Sequence, residues 1–150
     1  MLSPAKVRTC EKRDLKAVAG LLNELKEVAD TDNDFNEEGL QIIFAAMEDP
    51  GIYLNFVAEA DGAIAGFISV IFYKSLFHKG GTALINELII SDHYRGKGIG
   101  RLLIDKVKEE AISRGMDELE VGTEKTNKNA QAFYRKCGFD EEFVLMGMEF

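Results

Sequence analysis

The sequence is poor in cysteine, proline and long apolar runs, and it contains no tryptophan. The two cysteines, Cys10 and Cys137, are far apart and form no C-x-x-C pair. We therefore expect free thiols in a reducing cytoplasm rather than a disulfide or a metal site. The apolar runs are of strand length, so we expect no membrane-spanning segment. Residues 1–6 lack the apolar core of a signal peptide.

Positive charge is also scarce. The chain has 18 lysines and arginines but 26 acidic residues, which gives a net charge of −8. A protein that neutralises phosphates needs a basic surface, so this balance argues against a nucleic-acid partner. It mildly favours a cationic substrate. The 150 residues, 46% of them hydrophobic and 29% charged, are typical of one soluble globular domain over residues 1–150.

The spacing of apolar residues predicts about four helices and seven strands in an α/β (α+β) fold. Apolar residues recur every three or four positions in the predicted helices, which cover residues 13–28, 40–47, 99–114 and 127–137. The predicted strands cover residues 6–10, 53–59, 63–73, 82–90, 119–123, 139–142 and 143–150. The second and third strands are separated by Ala60-Asp61-Gly62, which predicts an antiparallel hairpin. The predicted order is β-α-α-β-β-β-α-β-α-β-β.

A glycine-rich loop joins the strand that ends at Leu88-Ile89-Ile90 to the helix that begins at Ile99. Glycines allow the backbone to approach a ligand closely, and the first turn of a helix presents free N–H groups to an anion. The spacing fits neither G-x-x-x-x-G-K-[ST] nor G-x-G-x-x-G. We predict a phosphate-binding loop, whose glycines are Gly96, Gly98 and Gly100 and whose cations are Arg95, Lys97 and Arg101.

This loop resembles the pyrophosphate loop of the GCN5-related N-acetyltransferases, the GNAT superfamily. The superfamily signature [RQ]-x-x-G-x-[GA] is matched by Arg95, Gly98 and Gly100. Residues 127–139 resemble a second segment of the same enzymes, N-x-x-A-x-x-[FL]-Y-x-K-x-G-F. Because the element order also agrees, the resemblance covers most of the chain. It implies a single-domain GNAT fold with a mixed, mostly antiparallel seven-stranded sheet.

The resemblance implies acetyl-CoA (coenzyme A) as the cofactor. Its pantetheine arm would pair with the backbone of the fourth strand where the fourth and fifth strands diverge, and its pyrophosphate would lie on the amides of residues 95–101. A nearby backbone N–H would polarise the thioester carbonyl. The implied cofactor-binding residues are Leu88, Ile89, Ile90, Arg95, Gly96, Lys97, Gly98, Ile99, Gly100, Arg101 and Asn127.

The same resemblance implies two catalytic residues. Tyr134 would protonate the departing CoA thiolate, since a phenol pKa near ~10 is close to a thiol pKa near ~8.5. Glu87 would take a proton from the acceptor ammonium. Each side chain has a structural alternative: Tyr134 could fill the core beside Phe133, and Glu87 could lie at a solvated strand end. Asn127 could act only as a helix N-cap.

The predicted function is transfer of an acetyl group from acetyl-CoA to the primary amine of a small, cationic acceptor, by direct attack in a ternary complex. The alternative is a GNAT-fold module that binds acyl-CoA without turnover. Residues 30–38 carry five carboxylates where this family builds its acceptor site, and they could either attract a cation or form a solvated loop. The resemblance also allows a homodimer, for which residues 143–146 could supply an interface or simply core.

Overall fold

The computed structural model describes residues 4–29 and 34–150 of the chain. The described strands are β1 (Lys6–Thr9), β2 (Tyr53–Ala60), β3 (Ala63–Tyr73), β4 (Thr82–Ile90) and β5 (Glu118–Val121). The described helices are α1 (Leu15–Ala29), α2 (Glu37–Ala45), α3 (Ile99–Ser113) and α4 (Lys128–Lys136), and 3₁₀ turns cover Lys12–Asp14 and Asp92–Tyr94. The strands form one sheet in chain order, antiparallel from β1 to β4 and parallel between β4 and β5.

Strands β2 and β3 form the hairpin that the sequence predicts. Their register runs from Tyr53 opposite Ile71 to Ala60 opposite Ala63. The two turn residues, Asp61 and Gly62, both have positive φ angles, 52° and 76°. Two such residues make a turn whose twist matches that of the flanking strands, and aspartate followed by glycine tolerates this geometry well. Local turn chemistry therefore determines this pairing.

Each face of the sheet buries its own apolar cluster. On the first face, which we call the α1 face, Leu15, Val18 and Leu21 of α1 pack against the sheet. On the opposite, α3 face, Leu103, Ile104 and Val107 pack against it. Alternation along the strands supplies both faces: Val57, Phe67 and Ile89 belong to the α1 face, whereas Phe56, Ile68, Val70 and Ile85 belong to the α3 face.

A β-bulge interrupts this alternation in β4. Ser69 of β3 lies opposite Glu87, but the next residue, Val70, lies opposite Ile85, so Asn86 is an extra residue on β4. Simple alternation predicts Ile85, Glu87 and Ile89 on one face. That prediction is wrong for Ile85, which packs on the α3 face while Ile89 packs on the α1 face. The extra residue shifts the pleat by one position.

The predicted seven strands are a further correction, because the described residues contain five and the order is β-α-α-β-β-β-α-β-α. Residues 139–142 and 143–150 belong to neither a strand nor a helix. Their apolar composition favours extended backbone, but a strand also needs an edge to pair with, and the chain after Gly138 pairs with none of its own described strands. Within the described ranges, no helix has the length and apolar character needed to cross a membrane.

Candidate active site

Strands β4 and β5 separate halfway along β4. Their parallel pairing starts at Thr82 and Glu118 and stops at Ile85 and Val121, directly before the bulged residue Asn86. From there to Ile90, no described strand pairs with the outer edge of β4. The outer edge of β4 is therefore open from the bulge to Ile90, and we call this open edge the cleft.

The backbone groups of Leu88 and Ile90 point toward this cleft. The Ser91 N–H donates to the Ala65 carbonyl of β3 at 2.9 Å, so residue 91 faces β3. Successive residues of a strand direct their N–H and C=O groups to opposite sides, which turns those of Ile90 and Leu88 away from β3. Consistent with this direction, the Arg95 Nε lies 3.4 Å from the Ile90 carbonyl oxygen. By the family resemblance, Leu88 and Ile90 would offer these backbone groups to the cofactor arm, while the Ile89 side chain is buried on the α1 face.

The predicted phosphate-binding loop leads from the end of β4 to the first turn of α3. Gly98 precedes the helix with φ 81°, a left-handed conformation that favours glycine. The first helical N–H bond runs from Leu102 to the Gly98 carbonyl at 3.2 Å. The N–H groups of residues 99–101 therefore have no acceptor within the helix and remain available to an anion.

Gly100 has a different role from Gly98. A Cβ atom at position 100 would lie 3.0 Å from the Phe133 ring of α4. Glycine therefore allows α4 to pack closely against the start of α3. This contact brings the second motif, residues 127–139, against the glycine-rich loop at the start of α3.

The three cations of the loop each have a protein partner that the sequence did not reveal. Arg95 pairs with Asp92 at 2.8 Å, and the Lys97 Nζ donates to the His93 carbonyl at 2.9 Å. The Arg101 guanidinium donates to the Lys136 carbonyl at 2.9 Å, near the end of α4. Arg101 consequently joins α3 to α4 as well as adding charge beside the loop.

Glu87 lies at the bulge, on the α1 face and at the mouth of the cleft. Its carboxylate is hydrogen-bonded to the Ser69 hydroxyl of β3, and its backbone N–H donates to the same hydroxyl oxygen at 3.2 Å. Ser69 is buried, with 1% of its surface exposed. The glutamate is therefore held by the neighbouring strand rather than free in solvent. This contact joins two strands that pair directly, and it has no local sequence signal.

Three polar residues on adjacent strands form a row across the sheet. Asn55 of β2 lies opposite Ser69 of β3, and Ser69 lies opposite Glu87 of β4. The Asn55 side chain is buried, and its Oδ1 atom has no hydrogen-bond partner among the described residues. It borders a depression that Cys10, Phe44 and Tyr53 also line. The row Asn55-Ser69-Glu87 spans about 10 Å across two strand spacings.

Asn127 directly precedes helix α4, and Tyr134 lies on it. The Asn127 side chain accepts a hydrogen bond from the Ala130 N–H at 3.1 Å, which confirms its predicted suitability as an N-cap. Tyr134 is partly buried between Phe133 and Phe139, with ring centroids 5.5 and 5.7 Å away. Burial raises the pKa of Tyr134 above its ordinary value. Its hydroxyl therefore keeps its proton at neutral pH.

The open part of the α1 face, beyond α1, carries further acidic groups that the sequence prediction missed. Glu118 and Glu120 alternate on β5 with Leu119 and Val121, whose side chains pack on the α3 face. The Tyr73 hydroxyl donates to Glu120 at 3.3 Å, and the pKa of Glu118 is raised chiefly by a hydrogen bond with Glu120. The alternation of acidic and apolar residues along β5 was the signal that the sequence offered for these carboxylates. Only the pairing of β5 with β4 shows that they lie beside β4.

The two histidines lie in different settings. His78 pairs with Glu118 of this acidic group at 3.4 Å, whereas His93 is exposed. Part of the acidic segment, residues 30–33, lies outside the described residues. The backbone of Phe35 is held to α1 by the Asn23 side chain, through hydrogen bonds of 2.9 and 3.0 Å, so the segment is anchored to α1 at this point.

The two cysteines are free, as the sequence predicts, and both are buried. Burial raises the pKa of Cys10 to about 12 and also raises that of Cys137. Both side chains are therefore protonated thiols at neutral pH, and a protonated thiol is a poor nucleophile. Within the described ranges no group of histidine, cysteine and acidic side chains is arranged to hold a metal ion.

Comparison with known proteins identifies the class. The model of the Acetyltransferase (GNAT) family matches residues 16–139, and the chain therefore belongs to this family. A protein of Methanocaldococcus jannaschii named as an uncharacterized N-acetyltransferase is 40% identical over 95 residues, which cover 61% of this chain and 41% of that protein. The chain thus matches less than half the length of this relative.

Two further comparisons extend over nearly the whole chain. The aminoalkylphosphonate N-acetyltransferase of Salmonella typhimurium is 27% identical over 136 residues, 90% of this chain and 84% of that protein. The crystal structure of glucosamine-6-phosphate N-acetyltransferase from Arabidopsis thaliana superposes with a TM-score of 0.83 at 23% identity, covering 99% of each chain. The latter similarity shows the fold, which is the GNAT fold.

Proposed function

We propose that this chain is a single-domain N-acetyltransferase that moves an acetyl group from acetyl-CoA to the primary amine of a small, cationic acceptor, by direct attack in a ternary complex. The observation that carries the proposal is the early end of β4–β5 pairing at Ile85. It leaves the backbone of Leu88 and Ile90 without a neighbouring described strand on the side of the cleft. The phosphate-binding loop begins directly after the same strand.

The residues present fit coenzyme A. The free N–H groups of residues 99–101 suit its pyrophosphate, and Gly98 leaves open space at the loop, with no atom within 4 Å of where its Cβ would lie. Arg95, Gly96, Lys97 and Arg101 would surround these phosphates, and Asn127 would border the arm. When bound, acetyl-CoA supplies the thioester that is cleaved.

Glu87 would act as the base. An amine attacks only after its ammonium has lost a proton, and a carboxylate at the mouth of the cleft can accept that proton directly or through one water. The Ser69 hydroxyl fixes the position of the carboxylate, since it contacts both the side chain and the backbone of Glu87. Fixed geometry lowers the reorganisation that proton transfer requires.

Tyr134 would act as the acid. No described residue is hydrogen-bonded to its hydroxyl, so the O–H is available to donate to a leaving sulfur. The raised pKa of the phenol makes it a weaker acid. However, the same apolar surroundings would raise the pKa of a thiolate beside it, which restores the match between donor and acceptor.

The acceptor is proposed to be cationic because the open part of the α1 face carries Glu87, Glu118 and Glu120. A bound ammonium would relieve the repulsion between the last two carboxylates. The Salmonella and Arabidopsis enzymes are named for acceptors that carry a phosphonate or a phosphate. This acidic face would repel such anions, so polyamines, aminoglycosides and lysine-like amines are the better candidates.

The test is release of CoA thiol from acetyl-CoA, measured with polyamines, aminoglycosides, amino acids and N-terminal peptides, and with glucosamine 6-phosphate as an anionic comparison. We expect turnover with a cationic class and little with the phosphorylated sugar. Turnover only with the anion would contradict the assignment of the acceptor. Binding of acetyl-CoA with no turnover across the panel would favour the alternative, a non-catalytic acyl-CoA-binding module.

A further inference from the structure

Asn55 differs from the other buried polar residues of the described ranges. It exposes only 7% of its surface, and its Oδ1 atom has no hydrogen-bond partner among the described residues. The other three buried polar side chains, those of Asp14, Ser69 and Thr82, are each hydrogen-bonded. Proteins rarely leave a buried acceptor unpaired, because its lost contact with water is then not replaced. The unpaired oxygen of Asn55 therefore needs an explanation.

Asn55 lies directly beside Ser69 on the α1 face. The Cys10 N–H donates to the Asn55 carbonyl at 2.8 Å, so the backbone of Asn55 faces β1 and not β3. The pair of Asn55 with Ser69 is therefore of the non-hydrogen-bonded type, in which opposite side chains lie closest. The two Cβ atoms of such a pair are roughly 4.5–5.5 Å apart, a gap that an asparagine and a serine side chain can close with one hydrogen bond.

The Ser69 hydroxyl does not make that bond in the structure, because it donates its proton to the Glu87 carboxylate. A hydroxyl has one proton to donate and two lone pairs that accept. One lone pair of Ser69 accepts from the Glu87 N–H at 3.2 Å. The row thus contains two unused acceptors, the second lone pair of Ser69 and the Oδ1 atom of Asn55.

Both unused acceptors find donors when Glu87 gains a proton. The neutral carboxyl group then has an O–H of its own, which can donate to the second lone pair of Ser69. The Ser69 hydroxyl no longer has to donate to Glu87 and can turn its proton to the Asn55 Oδ1 atom. In this arrangement all three side chains are paired, whereas the ionised arrangement leaves Asn55 unpaired.

We propose that the Ser69 hydroxyl reverses its hydrogen bond from Glu87 to Asn55 when Glu87 gains a proton, and that Asn55 is a positioning residue that stabilises the protonated form of Glu87. The role in turnover rests on the proposed function, in which Glu87 takes a proton from the acceptor ammonium. In that step an N–H bond breaks, its electron pair stays on the nitrogen, and an O–H bond forms on Glu87. Ser69 and Asn55 exchange hydrogen bonds only, and Glu87 later returns its proton to solvent.

Other titratable groups also act on Glu87 from neighbouring elements on this side of the sheet. They are Glu24 of α1, Glu48 after α2, Tyr73 of β3, His78 of the β3–β4 loop, and Glu118 and Glu120 of β5. Ionised carboxylates among them favour the protonated form of Glu87 through repulsion. A substitution at Asn55 leaves all of these groups in place, so comparison with the unaltered protein isolates the effect of Asn55.

The first experiment titrates Glu87 directly. In protein labelled with carbon-13 and free of acetyl-CoA, the carboxyl signal of Glu87 is identified by its loss in Glu87→Gln and followed against pH by NMR. Asn55→Leu removes the acceptor with little change of volume, and we expect it to lower the midpoint of this titration by roughly 0.5–1 pH unit. Thr9→Val is the matched control, because it makes a polar-to-apolar change in the same depression. It should leave the midpoint unmoved.

Two further measurements separate this role from a structural one. In a Ser69→Ala background, Asn55→Leu should give no further shift of the midpoint, since the effect passes through Ser69. Urea unfolding at pH 7 should show that Asn55→Leu is at least as stable as the unaltered protein, because it removes an unpaired buried acceptor. A purely structural Asn55 would give the opposite pattern, a loss of stability with an unmoved midpoint.

The last measurement is the pH dependence of kcat/KM with an amine that is turned over. The acid limb should move to lower pH in Asn55→Leu, in step with the NMR midpoint, because the base stays ionised to lower pH. A shifted midpoint in a protein without turnover would support the hydrogen-bond reversal and contradict the proposed function. Turnover with an unmoved midpoint would overturn the reversal and leave the proposed function intact. A shift that persists in the Ser69→Ala background would also overturn it.

Discussion

At the scale of single residues, Tyr134 and Glu87 divide the proposed chemistry between them. Phe133 and Phe139 surround the Tyr134 ring, and burial keeps its hydroxyl protonated. Ser69 holds Glu87 at the bulge of β4. The proposed acid and the proposed base thus lie on different elements, Tyr134 on α4 and Glu87 on β4.

Replacing Tyr134 with Phe keeps the ring and removes only the proton that it would donate. We expect kcat to fall by about 10²-fold or more, in line with the usual contribution of a general acid, while the affinity for acetyl-CoA changes little. Steady-state kinetics and calorimetric binding separate the two effects. Tyr94→Phe, which also removes one phenol hydroxyl, is the control and should change kcat by less than a few-fold. Unchanged turnover in the Tyr134 variant would remove this residue from the mechanism.

Ser69 is expected to act only through Glu87. Ser69→Ala should lower kcat/KM by about tenfold, because the carboxylate loses the contact that positions it. In a Glu87→Gln background the same change should have almost no further effect, as a double-mutant cycle would measure. Additive losses in the cycle would mean that Ser69 contributes independently, for example through folding, and unfolding curves of each variant test that explanation.

At the scale of elements, the proposed function depends on one strand, one loop and one helix that follow each other directly along the chain. β4 ends at Ile90, the loop turns through Gly98, and α3 begins with free N–H groups. Because Gly100 has no side chain, α4 can pack closely against this first turn. The two sequence motifs are thereby joined into one site by close packing rather than by their separation along the chain.

Gly98→Val should abolish measurable binding of CoA while the protein stays folded. A branched side chain at φ 81° strains the loop by about 1–2 kcal/mol and places methyl groups where the phosphates would lie. Gly62→Val is the matched control, since Gly62 has a similar φ of 76° and similarly open surroundings but lies in the β2–β3 turn. It should cost comparable stability and leave CoA affinity intact. Equal affinity in both variants would rule out the phosphate-binding loop.

At the scale of the whole molecule, the first strand is held to the start of α1 by an ion pair. Arg8 of β1 contacts Asp14 at 2.8 Å and Glu59 of β2 at 3.0 Å, and the Asp14 carboxylate also accepts from the Glu11 N–H. The Arg8 hydrogen bonds lower the pKa of Asp14. Asp14 is buried, so its charge depends on this partner.

This pair predicts a specific loss of stability in acid. A carboxyl group whose pKa is lowered on folding stabilises the native state above its unfolded pKa of about 3.9, and the contribution disappears as the pH falls through the lower native pKa. We expect Arg8→Ala to cost roughly 2–4 kcal/mol at pH 7 and to flatten the stability curve below pH ~4. Urea unfolding at several pH values measures both. Arg13→Ala, which removes an exposed pair with Glu11, should cost less than ~1 kcal/mol. A similar loss in both variants would contradict the burial argument.

The sequence by itself determined the local elements and the two motifs. Alternating apolar residues predicted β2, β3 and β4 nearly to their ends, and apolar residues at steps of three to four predicted α3. Asp61-Gly62 predicted the β2–β3 hairpin. These features depend only on neighbours within a few residues. The glycines of the loop and the Asn127 cap are equally local. They carried the family resemblance that the comparisons later confirmed.

Only the tertiary structure decided how these parts meet. The bulge at Asn86, the contact of Ser69 with Glu87 and the position of Glu118 and Glu120 beside β4 all arise from pairing between distant strands. Residues 143–150 show the same limit: they favour a strand, and the sequence predicted one, but the described chain offers them no strand to pair with. The propensity to form a strand is a property of one segment, whereas strand pairing depends on two segments. The sequence of a segment therefore does not say which strand it will pair with.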